Sequence, residues 1–147
     1  MSNSVFISKK QIDETLKTVP TQGKRLLDPL KTFAVEQKLP LNILEDKEIS
    51  NDAEVHVHEA DLWHCLEGEV TFICGGEMID PWIHKNADGT ENKNEIKAKK
   101  IQDGKKIVLH PGDWLYIPAG EPHQHMCPET TRLVIIKIPQ KSQVIRI

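Results

Sequence analysis

The sequence predicts an all-β fold, a sandwich or barrel of antiparallel strands preceded by one short amino-terminal helix. Three observations predict it. Short apolar segments rich in β-branched and aromatic residues recur from Leu41 onward, and turn residues punctuate them at Asn51-Asp52, Gly75-Gly76, Pro111-Gly112, Pro118-Ala119-Gly120 and Pro139. Only the stretch before Leu41 carries a helical period.

At 147 residues the chain is long enough for one compact domain with its own core and too short for two of ordinary size. Residues 1–40 read as a helix and a lead-in segment, and residues 41–147 as the barrel. Ser8 followed by Gln11 forms a capping-box pattern, after which Ile12 and Leu16 share a face until Pro20 interrupts. Residues 21–36 are mixed, with Gly23 and Pro29 as breakers. Strands are expected at 41–45, 53–58, 62–73, 106–109, 113–117, 123–126, 131–138 and 144–147. An excursion at about 78–105, polar and crowded with Asn and Lys, interrupts them and reads as a hairpin arm around Ala87-Asp88-Gly89-Thr90 rather than as core.

The net charge is −3 without a basic cluster, which leaves no electrostatic footprint for nucleic acid or an anionic membrane. Lys93, Lys97, Lys99 and Lys100 alternate with Glu91 and Glu95, the mark of a solvated face rather than a phosphate site. Apolar runs are only a few residues long, and residues 1–10 lack the apolar stretch of an export signal. The three cysteines, Cys65, Cys74 and Cys127, show no CxxC spacing and read as small buried hydrophobes. A cytoplasmic protein with a small-molecule substrate is the expectation.

The chemistry concentrates in two blocks. In a strand, residues i and i+2 point to one side, so His56 and His58 can present two ring nitrogens to one point while Val57 faces away. Asp61 needs a tight turn at Glu59-Ala60 to join them. His123 follows the turn 118–120 and can arrive from another strand, with His125 and Cys127 on the same face. Three imidazoles and a carboxylate suit a divalent transition metal. If the return strand is registered one residue differently, His64 faces inward and Asp61 outward. Trp63, Cys65, Trp114 and Tyr116 read as core packing. Acyl and phosphoryl transfer have no support, since no GxSxG and no phosphate-binding glycine loop occurs.

These blocks resemble the cupin superfamily. Its second motif, G(X)5PXG(X)2H(X)3N, is matched at Gly112, Pro118, Gly120 and His123, with Cys127 in place of Asn. Its first, G(X)5HXH(X)3,4E(X)6G, is matched at His56, His58 and Gly68, with Asp61 in place of Glu, only two residues between His58 and Asp61, and Ser50 in place of the leading Gly. The resemblance implies an antiparallel double-stranded β-helix (the cupin jelly-roll barrel), with one divalent metal (Fe, Mn, Ni or Zn) at its mouth. Its ligands would be His56, His58, Asp61 and His123. It also implies a homodimer, paired through an edge at residues 144–147 or the amino-terminal segment. The function expected is a metal-dependent cupin enzyme of oxygenase, isomerase or lyase type, with Glu121 or His125 moving a proton. The alternative is a non-catalytic sensor or assembly module using the same pocket.

Overall fold

A computed structural model describes residues 2–141. The expected strand at 144–147 lies outside the described residues. Helix α1 (Lys9–Leu16) starts where the capping pattern places it, with the Ser8 hydroxyl accepting from the Gln11 amide at 3.1 Å. After β1 (Gly23–Leu26) comes a second helix, α2 (Leu30–Gln37), where the sequence had read only mixed structure. Pro29 does not break this helix because it stands at its start, where an amide donor is not needed, and the Asp28 carboxylate caps it by accepting from the Thr32 amide at 2.8 Å.

The remaining strands are β2 (Leu41–Ser50), β3 (Ala53–His56), β4 (Glu59–Glu67), β5 (Val70–Cys74), β6 (Glu77–Ile79), β7 (Trp82–Lys85), β8 (Glu91–Ala98), β9 (Lys100–Gln102), β10 (Lys105–Leu109), β11 (Trp114–Ile117) and β12 (His123–Pro139). All pairings are antiparallel. The one long strand expected at 62–73 is two, divided by a turn in which Gly68 takes φ +77°. A Cβ there would stand 2.1 Å from the Thr130 carbonyl oxygen, so the position excludes any side chain. The two strands expected at 123–126 and 131–138 are instead one, bulged between Cys127 and Thr130.

That bulged strand organises the barrel. Its first residues pair with β3 and β5, and its later residues with β2 and β4. One half of the sheet therefore runs β1-β2-β12-β4-β11 and the other β7-β8-β3-β12-β5-β10. Between the halves lies the main core, including Leu44, Trp63, Cys65, Phe72, Leu109, Ile117, Leu133 and Ile135. The two helices cover the outer face of the first half, where Leu27, Leu30 and Ile43 are buried against Leu16, Phe33 and Val134.

The segment at 78–105 is part of the fold rather than an arm outside it. Its turn lies at 86–90, where the Asn86 amide donates to the Thr90 carbonyl at 2.8 Å, but β8 pairs along the whole length of β3. Ile96 and Ala98 are buried with Val55, Val57 and Met78, beneath the β6-β9 ribbon. A period-two pattern hidden among Asn and Lys residues places one face inward. The aromatic pair on β11 corrects the sequence reading in the other direction. Trp114 and Tyr116 are 57% and 48% exposed, because β11 is an edge strand whose outer face the helices do not reach.

Candidate metal centre

Strand β3 alternates cleanly up to its last residue. Ala53 and Val55 are buried toward β6-β9, so Glu54 and His56 share the opposite face, inside the barrel. The chain then bends at Val57 and His58 before β4 begins. That bend removes the basis of the HxH expectation. Residues 56 and 58 would share a face only within a continuous strand, and His58 instead projects from the bend, exposed, its carbonyl accepting from the Gln140 amide. The partner of His56 at i−2 takes the place expected for His58.

On β4 the register sets Asp61, Trp63 and Cys65 inward and Leu62, His64 and Leu66 outward. Asp61 is 1% exposed. His64 lies outside the barrel, its ring stacked on Trp114 with centroids 3.9 Å apart, and so takes no part in the centre. His123, the first residue of β12, is 2% exposed and pairs with both Glu54 and Cys74 in register.

Four atoms converge. The His56 Nε2 lies 3.4 Å from Glu54 Oε1 and 3.6 Å from Asp61 Oδ2. The His123 Nε2 lies 3.5 Å from each of the same two oxygens. Glu54, His56 and His123 form a group whose donor atoms all stand within 4.8 Å of one another. Donors of an ion held at about 2.0–2.2 Å stand about 3.0–3.6 Å apart, so the spacing of these three fits a bound metal, with Asp61 Oδ2 beside both imidazole nitrogens but outside that group. The hydrogen bonding agrees. His56 Nε2, His123 Nε2 and Asp61 Oδ2 are all buried without a hydrogen-bond partner, a costly arrangement for three atoms facing one another unless something binds between them.

The supporting contacts aim these donors. The Glu121 carbonyl stands 3.1 Å from His123 Nδ1; a carbonyl only accepts, so the proton is fixed on Nδ1 and the lone pair on Nε2 faces the centre. Lys137 donates to Asp61 Oδ1 at 2.7 Å, leaving Oδ2 turned inward. Burial alone would raise the Glu54 pKa, but the imidazoles of His123 and His56 outweigh it and hold the carboxyl well below the usual range. Burial likewise opposes a proton on His56, and Glu54 followed by Asp61 raises its pKa all the same.

The other candidates lie elsewhere. Glu121 contributes its carbonyl, while the residue itself lines a separate cleft with Gly75, Gly76 and Pro118. His125 is 1% exposed, packed between Trp63 and Phe72, with Nε2 2.7 Å from Asp46 Oδ2 and 2.7 Å from the Asn51 side chain. Neither side chain joins the converging donors: that of His125 is turned to Asp46 and Asn51, and Glu121 lines the separate cleft. The three cysteines are free and buried. Burial above all pushes the thiols up, that of Cys65 to about 11 and that of Cys74 to about 12, and so disfavours thiolate chemistry at either.

Beside the centre opens a pocket of about 390 Å³, lined by His56, His58, Glu59, Asn92, Asn94, Glu95 and Lys137. The segment at 78–105 supplies three of those residues from β8.

Residues 45–143 match the JmjC domain family. The chain belongs to that family. Its fold is a cupin fold, as the two motifs implied. This JmjC domain is similar to the Drosophila melanogaster CENP-C cupin domain at 12% identity and TM-score 0.50, over 82% of this chain and 68% of that one. It is also similar to the Clostridium difficile EutQ protein at 16% identity and TM-score 0.43, over 68% and 51%. A third likeness is to hydroquinone 1,2-dioxygenase from Sphingomonas sp. TTNP3 with 4-hydroxybenzoate bound, at 12% and 0.46, over 74% and 64%. The chain thus spans about half the length of that EutQ protein. No curated protein matches it.

Glu54 is the residue the sequence reading missed, and a signal for it existed. Set two residues earlier, the first cupin motif runs Glu54-Val55-His56, then Asp61 and Gly68, with four residues between His56 and Asp61 as the family spacing requires. Glu48 then takes the place of the leading Gly, and its φ of +55° is the left-handed conformation a Gly would adopt there.

Proposed function

We propose that this JmjC domain binds one divalent transition metal through Glu54, His56, Asp61 and His123 and acts on a small polar metabolite in the adjoining pocket. The observation that carries this reading is the convergence of two imidazole nitrogens and two carboxylate oxygens with three of those atoms buried and unpartnered. Two imidazoles with carboxylate oxygen form the donor set favoured by non-haem iron and related ions. When bound, such an ion supplies Lewis-acid polarisation of a chelating oxygen or, as iron, activation of dioxygen.

The chain's own residues do the rest. The Glu121 carbonyl orients the His123 ring by holding its Nδ1 proton, and Lys137 orients Asp61. Asn92 and Asn94 offer amide donors and acceptors to a polar substrate, while Glu59 and Glu95 favour donors on it. His58, placed in the pocket wall rather than among the donors, is positioned to exchange a proton with substrate through its imidazole. Among the described residues the pocket lining carries no aromatic ring apart from imidazoles, which disfavours a flat apolar ligand.

Elemental analysis of protein purified without added metal is the test, with about one ion per chain expected. The variants His56→Ala and His123→Ala should lose it, and a full complement retained by both would overturn the ligand assignment. Incubating the loaded protein with a panel of polar metabolites then separates turnover from binding. A ligand held tightly without product would favour the sensor reading.

A further inference from the structure

We propose that Lys137 locks Asp61 into ligation through a single oxygen and thereby keeps a coordination position at the centre free for substrate. The inference rests on the metal reading above and deepens it. In the β4-β12 register Lys137 stands directly opposite Asp61, so the two side chains leave the sheet on the same face. Its Nζ is 2.7 Å from Asp61 Oδ1, a charge-assisted bond. The other oxygen, Oδ2, has no hydrogen-bond partner and points between His56 Nε2 and His123 Nε2 at 3.6 and 3.5 Å. One carboxylate is therefore divided, with one oxygen committed to an ammonium and one to the centre.

A carboxylate can hold a divalent ion through one oxygen or through both. Ligation through both would bring the ion against the Oδ1 lone pairs that the ammonium occupies and set two positive charges side by side. Asp61 is 1% exposed, so water does not stand ready to replace the lysine at Oδ1. With the ammonium removed, that buried oxygen is free, and the ion is the available cation for it.

The position of Lys137 gives the lock its purpose. Its side chain is 38% exposed and lines the pocket with His56, between the ligand carboxylate and the space a substrate enters. The next carboxylate along, Glu59, is 3.7 Å away and holds the ammonium less closely than Asp61 does. Lys137 is thus a positioning residue, acting through Asp61. Arginine retains both charge and donors at this place, whereas methionine fills similar space with neither.

The test uses the full chain loaded with Co(II), whose visible absorption weakens as its coordination number rises. At equal loading, Lys137→Met should show per-ion absorption reduced about two-fold or more, while Lys137→Arg should keep the wild-type spectrum. A Lys137→Met spectrum identical to wild type would overturn the lock. Should Lys137→Met fail to fold, water-proton relaxation of the Mn(II)-loaded wild type decides the matter. The lock requires an exchangeable water on the ion, and a wild-type site without one would refute it. Failure of the underlying metal reading looks different. Wild type would then bind no Co(II), or His123→Ala would bind it as fully as wild type, and the lock would fall with it.

Discussion

Glu54 and His58 exchange the roles that a pattern of alternating residues assigns them, and one bend is the cause. Alternation holds only while the strand lasts, and β3 ends at His56. His56, Asp61 and His123 were legible as residues that could meet, because motif spacing survives a change of side chain. The side on which each falls depends on where a strand stops, which local sequence marks weakly. The replacement has a measurable consequence. Glu54→Gln keeps the shape and removes the charge from a donor 3.4 Å and 3.5 Å from the two imidazoles, so metal affinity should fall about 10- to 100-fold in a competition titration with a chelator. His58→Ala, in the same titration, should bind metal as wild type does, because that imidazole is exposed and lies outside the donor group. The opposite pair of results would restore the HxH reading.

The elements that decide the fold are the turn at Gly68 and the long strand β12. Gly68 permits β4 to reverse into β5, and its missing Cβ lets the Thr130 carbonyl approach where β12 bulges. Gly68→Ala combines a left-handed backbone with a clash against backbone, and should cost about 1–3 kcal/mol, read as a lowered Tm with metal stoichiometry preserved. A variant as stable as wild type would show that the turn relaxes freely. Ser8→Ala should cost about 1 kcal/mol by removing the bond to the Gln11 amide, a loss visible in thermal melts. These elements also show how far the sequence spoke. The capped helix, the short strands and the barrel class follow from local signals, namely a cap, alternation and turn residues. The helix α2 was hidden because Pro29 reads as a breaker unless its place at a helix start is known. The β7-β8 hairpin and its turn were legible, but its place in the core was hidden because its inward face consists of a few apolar residues among many charges, and only the partner strand β3 gives that face something to cover. Long-range pairing, not local preference, decided both the bulged strand and the wall of the pocket.

At the scale of the whole molecule, the amino-terminal segment is tied to the β1-β2-β12 half of the barrel by a buried ionic group outside the pocket. Glu45 on β2 is fully buried and accepts from Arg132 of β12 at 2.7 and 2.9 Å, from Arg25 of β1 at 2.8 Å and from the Thr21 amide at 3.2 Å. Arg132 is itself buried and donates onward to the carbonyls of Leu16 and Thr18, at the end of α1. The amino-terminal segment, the edge strand β1 and the central strands thus share one carboxylate. Its burial alone would raise the pKa, but the bonds from Arg25 and Arg132 and from the Thr21 amide outweigh that and hold it below the ordinary value. A carboxyl depressed in the folded state binds its proton more readily when unfolded. Its contribution is therefore complete above the unfolded value, near about 4.3, and is lost as pH falls through the lower folded value. Stability should accordingly decline as pH falls below about 5, with the amino-terminal segment loosening as the network breaks. Glu45→Gln removes the nearer, buried counter-charge of Arg132 and leaves only the half-exposed Glu67 carboxylate at 3.5 Å, and should cost about 3 kcal/mol near neutral pH while flattening the acid branch of the stability curve. Denaturant melts at a series of pH values measure both effects. An acid branch as steep in Glu45→Gln as in wild type would place the acid sensitivity in other carboxylates and leave this network a structural tie without a proton linkage.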